Sequence, residues 1–294
     1  MPEYAGGVPG PLLAVDAPSI LYRSFFALPS SIAGADGTPV GALLGTVNLV
    51  LQAIARHEPR ATAMCFGAEA AAYRVALYPG YHADRPPMPP ELAAQWERAP
   101  ALFAALGWQV LDAGDLEADD LLGALAVAEE EVGGTVLLLT GDRDMFQCAG
   151  ERTRVLFPAK GGPESIGPAE VRERYGVEPA QVPDLIALRG DPSDGLPGAK
   201  GIGAKGAADL LRRFGSLEGV LTAAGDPRSD LTARLRGALT ADPELLRAFR
   251  EIATLQPVAV ERPEDSPLDR ERGAAAAREL GMVRLAERLA KAGG

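Results

Sequence analysis

Eight carboxylates in this chain stand where they could work together. Glu117, Asp119 and Asp120 crowd into "GDLEADDLLG" (114–123), Asp142 and Asp144 into "TGDRD", Asp191 and Asp194 into "GDPSDG", and Asp16 ends "LLAVD". Two carboxylates about 4 Å apart repel by roughly 4 kcal/mol at an effective dielectric near 20, so such crowding needs open water or a cation. Acidic side chains also suit the first turn of a helix, where free N–H groups and the macrodipole favour negative charge. That alternative stays open for "LEADD" taken alone. Oxygen donors with no His or Cys cluster beside them suit Mg²⁺ or Mn²⁺, and zinc is not expected.

The elements that must position these acids follow from periodicity. Short apolar runs at 11–17, 61–68, 108–114 and 134–142 predict buried strands, and amphipathic stretches near 39–56, 91–106 and 117–131 predict helices between them. Such alternation implies an α/β fold with a mostly parallel sheet covered by helices. Asp16 then ends the first strand, "LEADD" follows the third, and Asp142 and Asp144 follow the last across a glycine turn. Open parallel sheets bind ligands just past the carboxyl ends of their strands, so these acids can meet in one crevice.

Asp191 and Asp194 come later, after an apolar helix and before "GAKGIGAKG". "GIGAKG" formally matches G-x-G-x-x-G, but no strand precedes it and no Walker spacing is present, so a dinucleotide or P-loop site is not indicated. What remains is a glycine turn between two helices, "VPDLIALRG" and "AADLLRRFG", a helix-hairpin-helix whose backbone N–H groups can meet phosphate oxygens. An ordinary glycine-rich helix connection is the alternative. Two of the chain's four lysines, Lys200 and Lys205, flank Gly201 and Gly203 in that turn.

With 294 residues and 47% hydrophobic composition, the chain can bury a sizeable core in one large domain or two smaller ones. A net charge of −11 argues against coating nucleic acid by bulk attraction, leaving a local basic surface as the route to such a partner. Cys65 and Cys148 are the only cysteines and read as packing residues. The amino terminus has no basic n-region, and no apolar run approaches a membrane span. A soluble, cytoplasmic monomer is expected.

From "LLAVDAPSILYRSFFALP" through "YRVALYPGYHADRPPMPPEL", "LEADDLLGALA", "LLLTGDRDMFQ" and "IALRGDPSDGLPGAKGIGAKGAADLLRRFG", the sequence resembles the 5′-to-3′ exonuclease and flap endonuclease family. That family includes the amino-terminal nuclease domain of bacterial DNA polymerase I, and the likeness spans about residues 10 to 225. It implies a PIN/flap-nuclease-like core over 1–165 with an arch near 73–100, then a helical domain over 166–294 with its helix-hairpin-helix near 183–215. It implies a structure-specific nuclease for DNA with 5′ flaps, nicks or 5′ ends, in replication and repair. Two or more Mg²⁺ or Mn²⁺ ions would be held by Asp16, Glu117, Asp119, Asp120, Asp142, Asp144, Asp191 and Asp194. Tyr22, Arg23, Arg74, His82 and Arg85 match positions that handle DNA near the scissile phosphate, with Lys200, Gly201, Gly203 and Lys205 on the duplex.

Two departures stand out. Gly67 occupies the position of a family metal aspartate after the second strand, and His82 replaces the lysine of "YKxxR" in the arch, where a neutral imidazole supplies less charge. A weakened or inactive DNA-binding relative is therefore the second reading. The tail "AAAARELGMVRLAERLAKA" reads as an amphipathic helix or helix pair that packs on the second domain.

Overall fold

The computed structural model describes residues 10–34 and 37–291; the amino-terminal stretch 1–9 lies outside the described residues. The first half runs β1 (Leu12–Asp16), α1 (Ala17–Ala27), α2 (Gly41–His57), β2 (Ala61–Phe66), α3 (Ala72–Leu77), α4 (Pro90–Ala105), β3 (Gln109–Asp112), α5 (Ala118–Glu131) and β4 (Val136–Leu139). After β5 (Thr153–Phe157) and β6 (Glu164–Ile166) come α6 (Pro168–Tyr175), α7 (Val182–Arg189), α8 (Ala204–Phe214), α9 (Leu217–Gly225), α10 (Ala233–Thr240) and α11 (Pro243–Ala253). Two helices close the chain, α12 (Arg270–Glu279) and α13 (Val283–Lys291).

The sheet order is β3-β2-β1-β4-β5-β6, parallel except for β6, which runs antiparallel to β5. Helices cover both faces, which is why β1, β2 and β4 can be apolar at nearly every position. Along β1, Leu12 and Ala14 face α5 (Leu121, Leu122, Leu125), and Leu13 and Val15 face α1 and α2 (Ile20, Leu43, Val47). The expectation of a buried third strand is corrected: β3 is an edge strand, paired on one side and only half-buried.

In the second half, α7 is the hub. Its residues 182–188 are all buried, and α8, α9 and α11 pack around it. The amphipathic tail does not join this helical unit. Residues 256–269 run back along the first unit, where Ser266 N–H donates to Arg60 O (3.0 Å) and Asp269 N–H to Leu106 O (2.9 Å). Arg60 is enclosed between Glu129 and Asp265. The tail helices then bury Ala277, Leu285 and Leu289 in the apolar cluster that holds Leu102, Phe103 and Trp108. Gly273 lets α12 approach so closely that a Cβ there would sit 2.4 Å from Leu106 Cδ2. The expected packing of the tail on the second domain is thus overturned, because its apolar face fits the open side of α4. Among the described residues, no helix is long and apolar enough to cross a membrane.

Candidate active site

The parallel strands end at an open crevice of about 1320 Å³, and seven of the eight acids line it: Asp16, Glu117, Asp119, Asp142, Asp144, Asp191 and Asp194. Asp16 closes β1 and caps α1: Ser19 N–H donates to its Oδ1 (2.9 Å) and Thr140 Oγ1 to its Oδ2 (2.6 Å). Past β4, the backbone turns tightly because Asp142 Oδ1 accepts Asp144 N–H (2.8 Å) and Thr140 Oγ1 accepts Asp142 N–H (2.9 Å). Asp191 is fixed by an Asx turn from Ser193 N–H (2.9 Å), with the Ser193 hydroxyl and Arg189 beside it. Glu117 begins α5; its carboxylate accepts from Ala71 N–H (2.7 Å) and Tyr81 Oη (2.9 Å) and pairs with Arg74 (2.9 Å).

Burial and mutual repulsion work in one direction here. Burial is the main cause that raises the carboxyls of Asp16, Asp119 and Asp144 above the ordinary range, and neighbouring acids add to it. Asp142 is pushed up to about 7 by burial, against the pull of the Asp144 N–H, with Asp194, Asp16 and Asp191 raising it further. Among the described residues, no three acidic, His or Cys side chains already stand as a closed ligand set for one ion. An all-oxygen set that is costly to ionise without a counter-charge nevertheless fits a hard divalent cation.

Asp120 is the exception among the acids, and its expected place in the cluster is corrected. It is fully buried and lies behind the crevice wall. Arg74 Nη2 (2.7 Å) and Gln256 N–H (2.8 Å) reach its Oδ1, and Glu117 N–H donates to its Oδ2 (3.1 Å). The adjacent positions 119 and 120 differ by about 100° around a helix, so only Asp119 can face the strand ends.

A family model for the 5′-3′ exonuclease N-terminal resolvase-like domain matches residues 11–176, and one for its C-terminal SAM fold matches 177–270. The chain belongs to the 5′-3′ exonuclease family. A 5′-3′ exonuclease of Mycobacterium tuberculosis is 37% identical, with 96% of this chain and 97% of that protein aligned. A DNA polymerase I of Mycobacterium leprae is 36% identical over 83% of this chain and 28% of its own length. Two solved structures share the fold: zinc-bound T5 5′-exonuclease (TM-score 0.67, 17% identity, 95% and 97% of the chains covered) and the catalytic core of Rad2 with DNA substrate (TM-score 0.61, 15%, 96% and 93%). As a 5′-3′ exonuclease the chain is a hydrolase acting on DNA, and membership does not favour the inactive reading.

Within this exonuclease, the residues expected to handle DNA divide. Tyr22, Arg23 and Arg85 line the crevice, the two arginines on its exposed rim. Arg74 touches the crevice too, but its side chain is only 4% exposed, held by Glu117, Asp120 and Ile252 O (3.0 Å), so its role on DNA is corrected to a partner of two acids. His82 is turned toward Asp194. Lys200 and Lys205 are exposed at the turn between α7 and α8, and nothing lies within 4 Å of where a Gly203 Cβ would be. Ala204, the first residue of α8, reaches the crevice wall.

Gly67 lines the crevice but leaves no room for a side chain. A Cβ there would lie 2.6 Å from Leu116 O and 2.7 Å from Ala118 N, because the turn carrying Glu117 has closed over it. A side chain at 67 could therefore reach the acids only if that turn gave way.

Several site residues escaped sequence reasoning. Ser193 carried a signal, since Ser two positions after Asp is an Asx-turn pattern. The contact of Tyr81 with Glu117, of the Thr140 hydroxyl with Asp16 and of Gly141 N–H with the Ser19 hydroxyl carried none, as those partners are remote in the chain.

Proposed function

We infer that this exonuclease is structure-specific, cutting DNA at 5′ ends, nicks and 5′ flaps, with two or more Mg²⁺ or Mn²⁺ ions among Asp16, Glu117, Asp119, Asp142, Asp144, Asp191 and Asp194. The observation that carries the reading is the meeting of these seven carboxylates, from separate segments, in one crevice at the strand ends. Held there, such ions would activate a water and stabilise the attacking and leaving oxygens at a phosphodiester. The chain's own groups do the rest. Thr140 and Ser19 orient Asp16, Arg74 and Tyr81 hold Glu117, and Ser193 and Arg189 hold Asp191.

Burial and the adjacent Glu117 push the Tyr81 phenol well above its ordinary pKa, so it serves as a donor throughout the working range. Arg23 and Arg85 on the rim meet the phosphates of the incoming strand, and the Pro-rich segment within 73–100 acts as the arch that captures it. The helix-hairpin-helix near 183–215 holds the duplex through Lys200, Lys205 and the backbone of Gly201 and Gly203. The protein works as a cytoplasmic monomer. Incubating purified protein with a 5′-flap duplex in EDTA, Mg²⁺ or Mn²⁺ tests this. Cutting only with a divalent ion is expected, and cutting in EDTA or no cutting with either ion overturns it.

A further inference from the structure

Two consecutive residues at the foot of the Pro-rich segment reach two different acids of the cluster. The Tyr81 hydroxyl meets Glu117, at 2.9 Å from Oε2 and 3.2 Å from Oε1. The His82 ring has Nε2 3.2 Å from Asp194 Oδ1 and Nδ1 3.1 Å from Glu69 O. His82 N–H also donates to Asp194 O at 3.1 Å. The ring stacks on Tyr81 with centroids 4.0 Å apart, and its side chain is only 8% exposed.

This placement is not a by-product of a relaxed backbone. His82 has φ 53°, one of two left-handed non-glycine residues among those described, and such a conformation persists where surrounding contacts fix it. Gly195 closes the other side of the contact, since a Cβ there would lie 2.5 Å from Gly80 O. The backbone of 80–82 and the loop of 194–195 are therefore in direct apposition. His82 lines the crevice, but its two ring nitrogens face Glu69 O and Asp194 Oδ1 and one ring face stacks on Tyr81, so its polar atoms are turned to the protein and not to a phosphate in the open space.

We propose that His82 is a positioning residue for Asp194, not a DNA contact, and that docking of segment 80–82 sets Glu117 and Asp194 in place together. Asp191 has Ser193 and Arg189 to orient it, whereas the side-chain contact given to Asp194 among the described residues comes from His82. A carboxylate held in one rotamer before an ion arrives loses less freedom when it binds, so His82 acts on metal affinity. A lysine here would have a flexible stem and no ring to stack on Tyr81, so the imidazole is what fixes the direction of the contact with Asp194. The proposal rests on the nuclease reading for the identity of the ion.

The test measures Mn²⁺ binding to the DNA-free full chain by calorimetry, and binding of a 5′-flap duplex in EDTA by fluorescence anisotropy. His82→Asn accepts the left-handed backbone but is too short to reach Asp194, and His82→Gln restores a donor at longer reach. His82→Asn is expected to weaken Mn²⁺ binding by about 10-fold, as loss of a residue that orients a metal ligand does. His82→Gln should recover most of that loss, with flap affinity in EDTA unchanged in both. Weaker flap binding with unchanged Mn²⁺ binding assigns His82 to DNA and overturns the proposal, as does no change in either. If the parent chain binds Mn²⁺ but cuts no flap, the nuclease reading fails while the calorimetric comparison still decides the role of His82.

Discussion

Arg74 and Asp120 form an enclosed ion pair, Nη2 to Oδ1 at 2.7 Å, with side-chain exposures of 4% and 0%. The same guanidinium pairs with Glu117 on the crevice side and donates to Ile252 O at the end of α11. Asp120 thus balances the arginine that steadies Glu117, and it ties α5 to the segment leaving α11 through Gln256 N–H.

Adjacent acids should therefore respond oppositely to neutralisation. Asp120→Ala leaves Arg74 with one buried partner instead of two, and breaking such a pair costs about 3 kcal/mol or more. Asp119→Asn removes a carboxylate that burial and its neighbours already hold well above the ordinary range, so the metal-free fold should gain stability. Urea unfolding in EDTA, beside a flap-cleavage assay, separates them: Asp119→Asn folded and inert, Asp120→Ala destabilised. Equal stability losses in both variants would refute the division of roles.

The acid cluster also sets how stability varies with pH. The Asp142 carboxyl has an ordinary value of 3.8 and a folded value of about 7, raised chiefly by burial. Between those values the folded state binds more protons than the unfolded one, so this contribution is full at low pH and is lost as pH rises toward 7. Each such group changes stability by at most about 1.4 kcal/mol per pH unit. Glu129, which Arg60 and Arg262 hold low despite its burial, acts only below the ordinary glutamate value of 4.5. In EDTA the melting temperature should fall from pH 5.5 to 7.5, and the gain on adding Mn²⁺ should grow over that interval. A melting temperature that climbs across this range without metal is the contrary result.

Much of this was legible before any coordinates. Four apolar runs and three amphipathic stretches placed β1 to β4, α2, α4 and α5; for β1, β2 and β4 the reason is that burial on both faces writes itself as continuous hydrophobicity, whereas β3 is a half-buried edge strand. β5 and β6 carried no comparable signal: "TRVLF" puts Arg154 mid-strand, where it reaches Ser165 and Glu170 on the partner strand's side. The acids at strand exits could be grouped by position alone. What sequence could not tell was the direction of each carboxylate, since Asp119 and Asp120 differ only in helical phase and Arg74 finds its partners 43 and 46 residues away. The return of the tail to α4 was hidden for the same reason: an amphipathic helix announces an apolar face without naming its cover.

Gly67 gives a test in which sequence and structure disagree. Likeness alone suggests that Gly67→Asp would add a ligand and lower the metal needed for cleavage. The 2.6 Å and 2.7 Å approaches of Leu116 O and Ala118 N mean that even Gly67→Ala must push back the turn carrying Glu117. Both substitutions should raise the Mn²⁺ concentration for half-maximal cleavage and lower the melting temperature in EDTA. If Gly67→Ala melts and cuts like the parent, the turn yields freely and the steric argument fails.

The last prediction concerns the glycine turn between α7 and α8, where the acidic chain keeps two of its four lysines. Lys200 and Lys205 are exposed, and Gly203 has open space beside it, so a phosphate can approach the backbone there. A phosphate contact releases counterions but carries no base information. Lys205→Glu should therefore weaken duplex binding equally for different base sequences and reduce the slope of log affinity against log salt by about one contact's worth. Anisotropy in EDTA at several salt concentrations, with two duplexes of unrelated sequence, measures both effects without cleavage. An unchanged slope would remove Lys205 from the interface, and a loss confined to one duplex would mean that the loop reads bases instead of gripping the backbone.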